Sequence, residues 1–170
     1  MVANLVTLVR ILLLPVLAAV ILAGHGWTAL ALFLTAGATD ILDGQLARRF
    51  GQTSAFGAML DLLADRLLTL VSLGALIETG AFAGAWIVAP LVLIARNFAV
   101  AGLQQALPGG DFELAAIEYP KIALNFLGVS LLLAPVGATS AGLWAIAASA
   151  ALSVASVAVY ARRALPAFRG

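Results

Sequence analysis

Apolar residues dominate this chain in six runs, at about 4 to 23, 28 to 43, 57 to 77, 83 to 106, 117 to 134 and 141 to 161. Each approaches the ~20 residues that an α-helix needs to cross a ~30 Å hydrocarbon layer. The pattern therefore predicts six transmembrane helices. Turn chemistry punctuates them: Gly24-His25-Gly26, the polar stretch Arg48 to Ser54, Glu78-Thr79-Gly80, Pro108-Gly109-Gly110, and Pro135 to Ser140. Connections this short join antiparallel neighbours. The expected fold is an all-α, polytopic membrane protein with one domain over residues 1–170.

Composition strengthens that reading. The chain is 64% hydrophobic and 10% charged, with a mean hydropathy of +1.11, whereas roughly a quarter of the residues of a soluble domain are charged. Too few ionisable side chains are present to cover a water-exposed shell, so lipid is the expected solvent for most of the surface. The opening MVANLVTLVRILLLPVLAAVILAG carries its arginine inside the apolar stretch, not ahead of it, which favours a retained first helix over a signal peptide.

Charge placement predicts orientation. Arg48 and Arg49 follow the second run and Arg162, Arg163 and Arg169 follow the sixth, while the turns after runs one, three and five have no Lys or Arg. By the positive-inside rule both termini are expected in the cytoplasm, as for a bacterial inner (cytoplasmic) membrane protein. The acidic loop with Asp111, Glu113 and Glu118 is a mild discord, since acids weigh little in that rule. A net charge of +1 offers no broad basic face for nucleic acid. Cysteine is absent and His25 is the only histidine, so any metal would be a hard cation held by oxygen.

The chemical signal is a cluster of acids. Four of the eight acidic residues, Asp40, Asp43, Asp61 and Asp65, fall within or beside predicted membrane helices. A single carboxylate at the centre of a membrane helix costs ~2.5 to 3.5 kcal/mol, so four uncompensated ones would cost about 10 kcal/mol, comparable to the stability of a whole domain. They are expected to face inward. Asp40 and Asp43 are three apart and Asp61 and Asp65 four apart, so each pair shares a helical face. Two pairs on adjacent antiparallel helices match two divalent cations.

Gly57, one turn before Asp61, leaves room beside the backbone; Gly44 is expected to do the same while ending or loosening the second helix. Arg48 adds a planar cation suited to phosphate oxygens. Together they describe a phosphate or diphosphate site. The plainer alternative pairs Asp61 and Asp65 with Arg66 or Arg48 and leaves Asp40 and Asp43 as solvated helix-end charges. It accounts for any one residue more easily than for all four.

These residues spell D-x2-D-G-x2-A-R-x8-G-x3-D-x3-D, as Asp40, Asp43, Gly44, Ala47, Arg48, Gly57, Asp61 and Asp65. The pattern resembles the signature of the CDP-alcohol phosphotransferase family, with every fixed position present. The resemblance implies metal-dependent transfer of a substituted phosphoryl group from a CDP-linked donor to an acceptor hydroxyl, with release of CMP. It implies that Asp40, Asp43, Asp61 and Asp65 bind two divalent cations, Mg²⁺ or Mn²⁺, near the cytoplasmic face. Asp65 would double as general base, and Gly44, Ala47, Arg48 and Gly57 would border the CDP moiety.

The opening Asn4-Leu-Val-Thr7-Leu-Val-Arg10, with Pro15, is similar to that of the phosphatidylglycerophosphate synthases within the family. Asn4 and Thr7 would then reach the nucleotide, and Arg10 a phosphate. The alternative for Arg10 is a cation snorkelling to the interface. In the fourth helix Arg96, Gly102 and Leu103 match the synthases, whereas Asn97, Ala101 and Gln104 do not. A later Gly-Lys-x-Lys-Thr is represented only by Glu118-Tyr-Pro-Lys121-Ile. Arg96 and Lys121 are expected contacts for the acceptor or its phosphate.

The expected donor is CDP-diacylglycerol and the expected acceptor glycerol 3-phosphate. The departures at Gln104 and Tyr119 leave open another alcohol, such as inositol phosphate or serine, or a soluble CDP-alcohol donor. Abundant small residues are compatible with a homodimer. Intramembrane carboxylates also occur in ion or proton transporters, but the last two helices offer almost no polar groups to continue a pathway. A catalytically inactive scaffold is disfavoured by the complete aspartate set.

Overall fold

The computed structural model describes residues 2–49, 55–106 and 118–164, and these are helical apart from short turns. The elements are α1 (Val2–Leu22), α2 (Gly26–Arg49), α3 (Ala55–Glu78), α4 (Val88–Ala106), α5 (Glu118–Leu133) and α6 (Thr139–Ala164); a 3₁₀ turn, Gly84–Ile87, leads into α4. All six apolar runs are helices. Three of them, over Leu5–Leu22, Gly84–Gly102 and Thr139–Val157, are long and apolar enough to cross a membrane. The apolar parts of α2 and α5, Gly26–Thr39 and Tyr119–Leu133, are shorter. In α2 the apolar stretch gives way to Asp40, Asp43 and two arginines, and α3 carries Asp61, Asp65 and Arg66.

Local sequence explains the helix ends. α1 closes on Gly24 at φ 76°, where Gly24 N–H donates to Ile21 O (3.0 Å) and His25 N–H to Val20 O (3.2 Å). α3 closes identically on Gly80, at the same φ, through Gly80 to Ile77 (3.0 Å) and Ala81 to Leu76 (3.1 Å). This pairing satisfies the last carbonyls and requires a left-handed residue, which glycine supplies without steric cost. Pro90 and Pro120 lie in the first turns of their helices, where no intrahelical N–H bond is lost.

Of the two effects expected of Gly44, ending or loosening the second helix, the first does not occur: α2 continues through it to Arg49. A single glycine costs only about 1 kcal/mol in a helix interior, too little to stop a 24-residue helix. The expected break at Arg48 is likewise displaced, and both arginines belong to the last turn of α2.

The chain forms two compact units. One comprises Met1–Ala81 with Leu133–Gly137, the other Phe82–Leu132 with Ala138–Gly170. In the first, α1 is the central element, packing most extensively on α3 and also on α2. Its buried face is Thr7, Arg10, Leu14, Leu17 and Ile21, spaced alternately by three and four. Its other faces expose Leu5, Leu8, Leu12 and Val16, a surface suited to lipid. In the second unit, α4 packs on α6, whose buried face combines Ala145, Ile146, Ser149, Ala150, Ser153 and Ser156. Small residues there allow close helix contact.

Candidate functional site

The signature residues lie on two helices of the first unit. In α2, uninterrupted helical geometry keeps positions 40, 43, 44 and 47 on one face, with Arg48 beside them. The side chains of Asp40, Asp43, Ala47 and Arg48, and that of Asn4 in α1, lie outside the described residues. In α3, Gly57, Asp61 and Asp65 succeed one another at one-turn intervals beside the buried stripe Leu60, Ala64 and Leu68. Gly57 and Asp61 are half-buried, and Asp65 is exposed.

Among the described residues, no three His, Cys, Asp or Glu side chains are grouped for a metal. The fit of the site to a cation rests instead on Asp61. Its side chain is 41% exposed although Oδ1 is buried and, among the described residues, accepts no hydrogen bond; the outer side of the carboxylate is open to a hard cation such as Mg²⁺ or Mn²⁺, which prefers oxygen donors of this kind. The buried oxygen is suited to a positive charge from the protein.

α1 supplies one. Arg10 is 2% exposed, and its Nη1 lies 3.5 Å from Asp61 Oδ1. At that distance the contact is an ion pair and not a short hydrogen bond. The guanidinium thus turns into the helix packing and does not snorkel outward. Thr7, one turn earlier, is equally buried at 4%. Thr7 and Arg10 therefore share the inward face of α1. A narrow apolar groove of about 80 Å³ runs between α1 and α2, past Arg10, Leu14 and Leu17 on one side and Leu32, Thr35 and Thr39 on the other. Thr35 and Thr39 turn their hydroxyls onto their own helix, bonding Ala31 O at 2.7 Å and Thr35 O at 3.0 Å. Carbonyls of the same turn are the available acceptors where water is excluded.

Arg96 and Lys121 belong to the second unit. Arg96 Nη2 donates to Ser156 Oγ (3.1 Å), and Ser156 Oγ donates in turn to Ser153 O (2.9 Å). Lys121 is buried, and its backbone carbonyl accepts from Ser149 Oγ at 2.9 Å. Both candidate cations are thus seated beside the serine face of α6.

That serine face corrects the expectation that the last two helices offer almost no polar groups. Ser149, Ser153 and Ser156 are all 0% exposed, and Asn125 of α5 buries an Oδ1 that has no hydrogen-bond partner among the described residues. The signal was in the sequence: serines spaced by four and three fall on one helical face, hidden by an Ala-rich background. The ion pair of Arg10 with Asp61 had no local signal, because nothing in the spacing within α3 points to α1.

A family model described as CDP-alcohol phosphatidyltransferase matches residues 1–160. Among curated relatives, a Pseudomonas fluorescens protein is 35% identical over 142 residues, covering 77% of this chain and 71% of the relative. One from Cereibacter sphaeroides is 37% identical over 144 residues, covering 75% of this chain and 64% of the relative. A third, from Bacillus subtilis, is 36% identical over 147 residues, covering 76% and 75%. All three are named CDP-diacylglycerol--glycerol-3-phosphate 3-phosphatidyltransferase.

Proposed function

The chain belongs to the CDP-alcohol phosphatidyltransferase family, and from that membership we propose that it transfers a phosphatidyl group from CDP-diacylglycerol to glycerol 3-phosphate, forming phosphatidylglycerophosphate and CMP. The observation that carries this reading is the complete aspartate signature on α2 and α3, in a chain whose three relatives above share one name.

In this reading Asp40, Asp43, Asp61 and Asp65 hold two divalent cations, which supply the charge that neutralises the diphosphate and the departing CMP. Asp65, exposed on α3, accepts the proton of the acceptor hydroxyl. The hydroxyl oxygen bonds to the phosphorus bearing the diacylglycerol. The bond from that phosphorus to the bridging oxygen breaks, and CMP leaves with the electron pair. Gly44, Ala47, Arg48 and Gly57 border the nucleotide with Asn4 and Thr7. Arg96 and Lys121 bind the acceptor's phosphate, a dianion that requires fixed cations.

The supporting topology is six membrane spans with both termini on the cytoplasmic side of a bacterial inner membrane, as the arginines after α2 and α6 favour. A homodimer is consistent with the small-residue helix faces.

Incorporation of radiolabel into lipid, with glycerol 3-phosphate, serine and inositol phosphate offered separately with CDP-diacylglycerol, tests the acceptor. Label is expected in phosphatidylglycerophosphate from glycerol 3-phosphate alone. Absence of that product, with label entering lipid from another alcohol, overturns the acceptor and retains the chemistry.

A further inference from the structure

Asp61 presents its two oxygens differently. Its side chain is 41% exposed, yet Oδ1 is shut off from solvent, accepts no hydrogen bond among the described residues and lies 3.5 Å from Arg10 Nη1. The exposure of the carboxylate therefore falls on the Oδ2 side. Arg10 has no comparable freedom: at 2% exposure it is fixed in the stripe that ends in Leu14, Leu17 and Ile21. A guanidinium does not deprotonate in proteins, so a buried one needs an anion beside it.

We propose that Arg10 is a positioning residue and resident counter-cation for Asp61. It holds the inner oxygen, so that the outer oxygen is the one a divalent cation meets, and it balances the carboxylate when no cation is bound. The inference rests on Asp61 being a metal ligand, as proposed above. Carboxylate ligands are generally held by such outer partners, and loss of one typically weakens metal binding about 10- to 100-fold. The planar fork of arginine fixes a carboxylate oxygen in a way that the single point charge of lysine does not. This assignment replaces the phosphate contact that the sequence suggested for Arg10. A merely structural tie between α1 and α3 would use the same two residues but would not respond to metal.

Thermal unfolding of the purified full chain in detergent separates the two, measured with chelator and with saturating Mg²⁺. Wild type is expected to gain stability with Mg²⁺. Arg10→Gln is expected to lower Tm by about 5 °C without metal and by more than that with Mg²⁺, because a cation bound about 10- to 100-fold more weakly stabilises the chain less. Its metal-induced gain is then smaller than that of wild type. In an Asp61→Asn background Arg10→Gln is expected to cost nothing further. An equal loss with and without Mg²⁺, or an undiminished loss in the Asp61→Asn background, overturns the proposal.

Should Arg10→Gln fail to fold, Arg10→Lys keeps the charge and loses the fork. Its metal-free Tm is expected near that of wild type, with the Mg²⁺ midpoint raised about 10-fold; an unchanged midpoint overturns the positioning role. Failure of the metal reading has a different signature: wild type and Asp61→Asn then respond to Mg²⁺ alike, and the inference falls with it.

Discussion

α1 and α6 each bury a polar stripe, and they do so with different chemistry. α1 inserts Thr7 and Arg10 into a leucine-rich face, and Arg10 meets a carboxylate of α3. α6 inserts Ser149, Ser153 and Ser156 among alanines; the hydroxyls of Ser149 and Ser156 donate to backbone carbonyls, and that of Ser156 also accepts from Arg96. A buried guanidinium is costly to leave without its anion, whereas a hydroxyl bond contributes only about 0.5 to 1.5 kcal/mol net. The α1/α3 ion pair is therefore the costlier of the two contacts to break. The α6 stripe orients neighbours at small cost.

Substitutions sharpen that contrast, in descending order of effect. Asp65→Asn is expected to fold normally and to lower CMP release about 100- to 10,000-fold, the usual contribution of a general base; retained turnover would remove Asp65 from that role. Asp61→Asn strikes both sides of the contrast, because it removes the proposed metal ligand and the carboxylate that faces Arg10. Its metal-free Tm is expected to fall by roughly 6 to 20 °C, from the ~3 to 5 kcal/mol cost of removing one partner of a buried ion pair, alongside loss of turnover.

On the hydroxyl side, Ser156→Ala is expected to raise the KM for glycerol 3-phosphate about 3- to 10-fold, with the KM for CDP-diacylglycerol unchanged, because it removes one bond to Arg96. Equal changes in both constants would make Ser156 a packing residue only. The smallest effect is expected for Ser149→Ala, which loses a bond to the Lys121 carbonyl but keeps a small side chain in a small-residue face. A Tm decrease of about 2 to 4 °C with unaltered kinetics is the anticipated result. A larger loss than for Asp61→Asn would break the contrast between the two stripes.

Much of this architecture was legible in the sequence. Six apolar runs became six helices, because hydropathy over about twenty residues reports the solvent of a segment directly. Gly24 and Gly80 end their helices where turn chemistry placed breaks. The spacing of Thr7 and Arg10 puts them on one face of α1, and the structure shows that face to be buried. Gly44 does not end α2, because a glycine's local preference is weak against the continuity of a long helix. The ion pair of Arg10 with Asp61 is not legible in the sequence, because the two are distant in the chain and only the packing of α1 on α3 brings them together. The serine stripe was passed over because serine is nearly neutral on hydropathy scales, and its placement matters only once a partner helix is opposite.

The most direct test of the account is CMP release by the purified chain supplied with CDP-diacylglycerol and glycerol 3-phosphate, before and after chelation of divalent cations. The account predicts CMP formation that stops with chelator, returns with Mg²⁺ or Mn²⁺, and is absent in Asp65→Asn. Release that persists undiminished under chelation would contradict it, as would a protein that forms no CMP from any CDP-alcohol yet moves ions across liposomes.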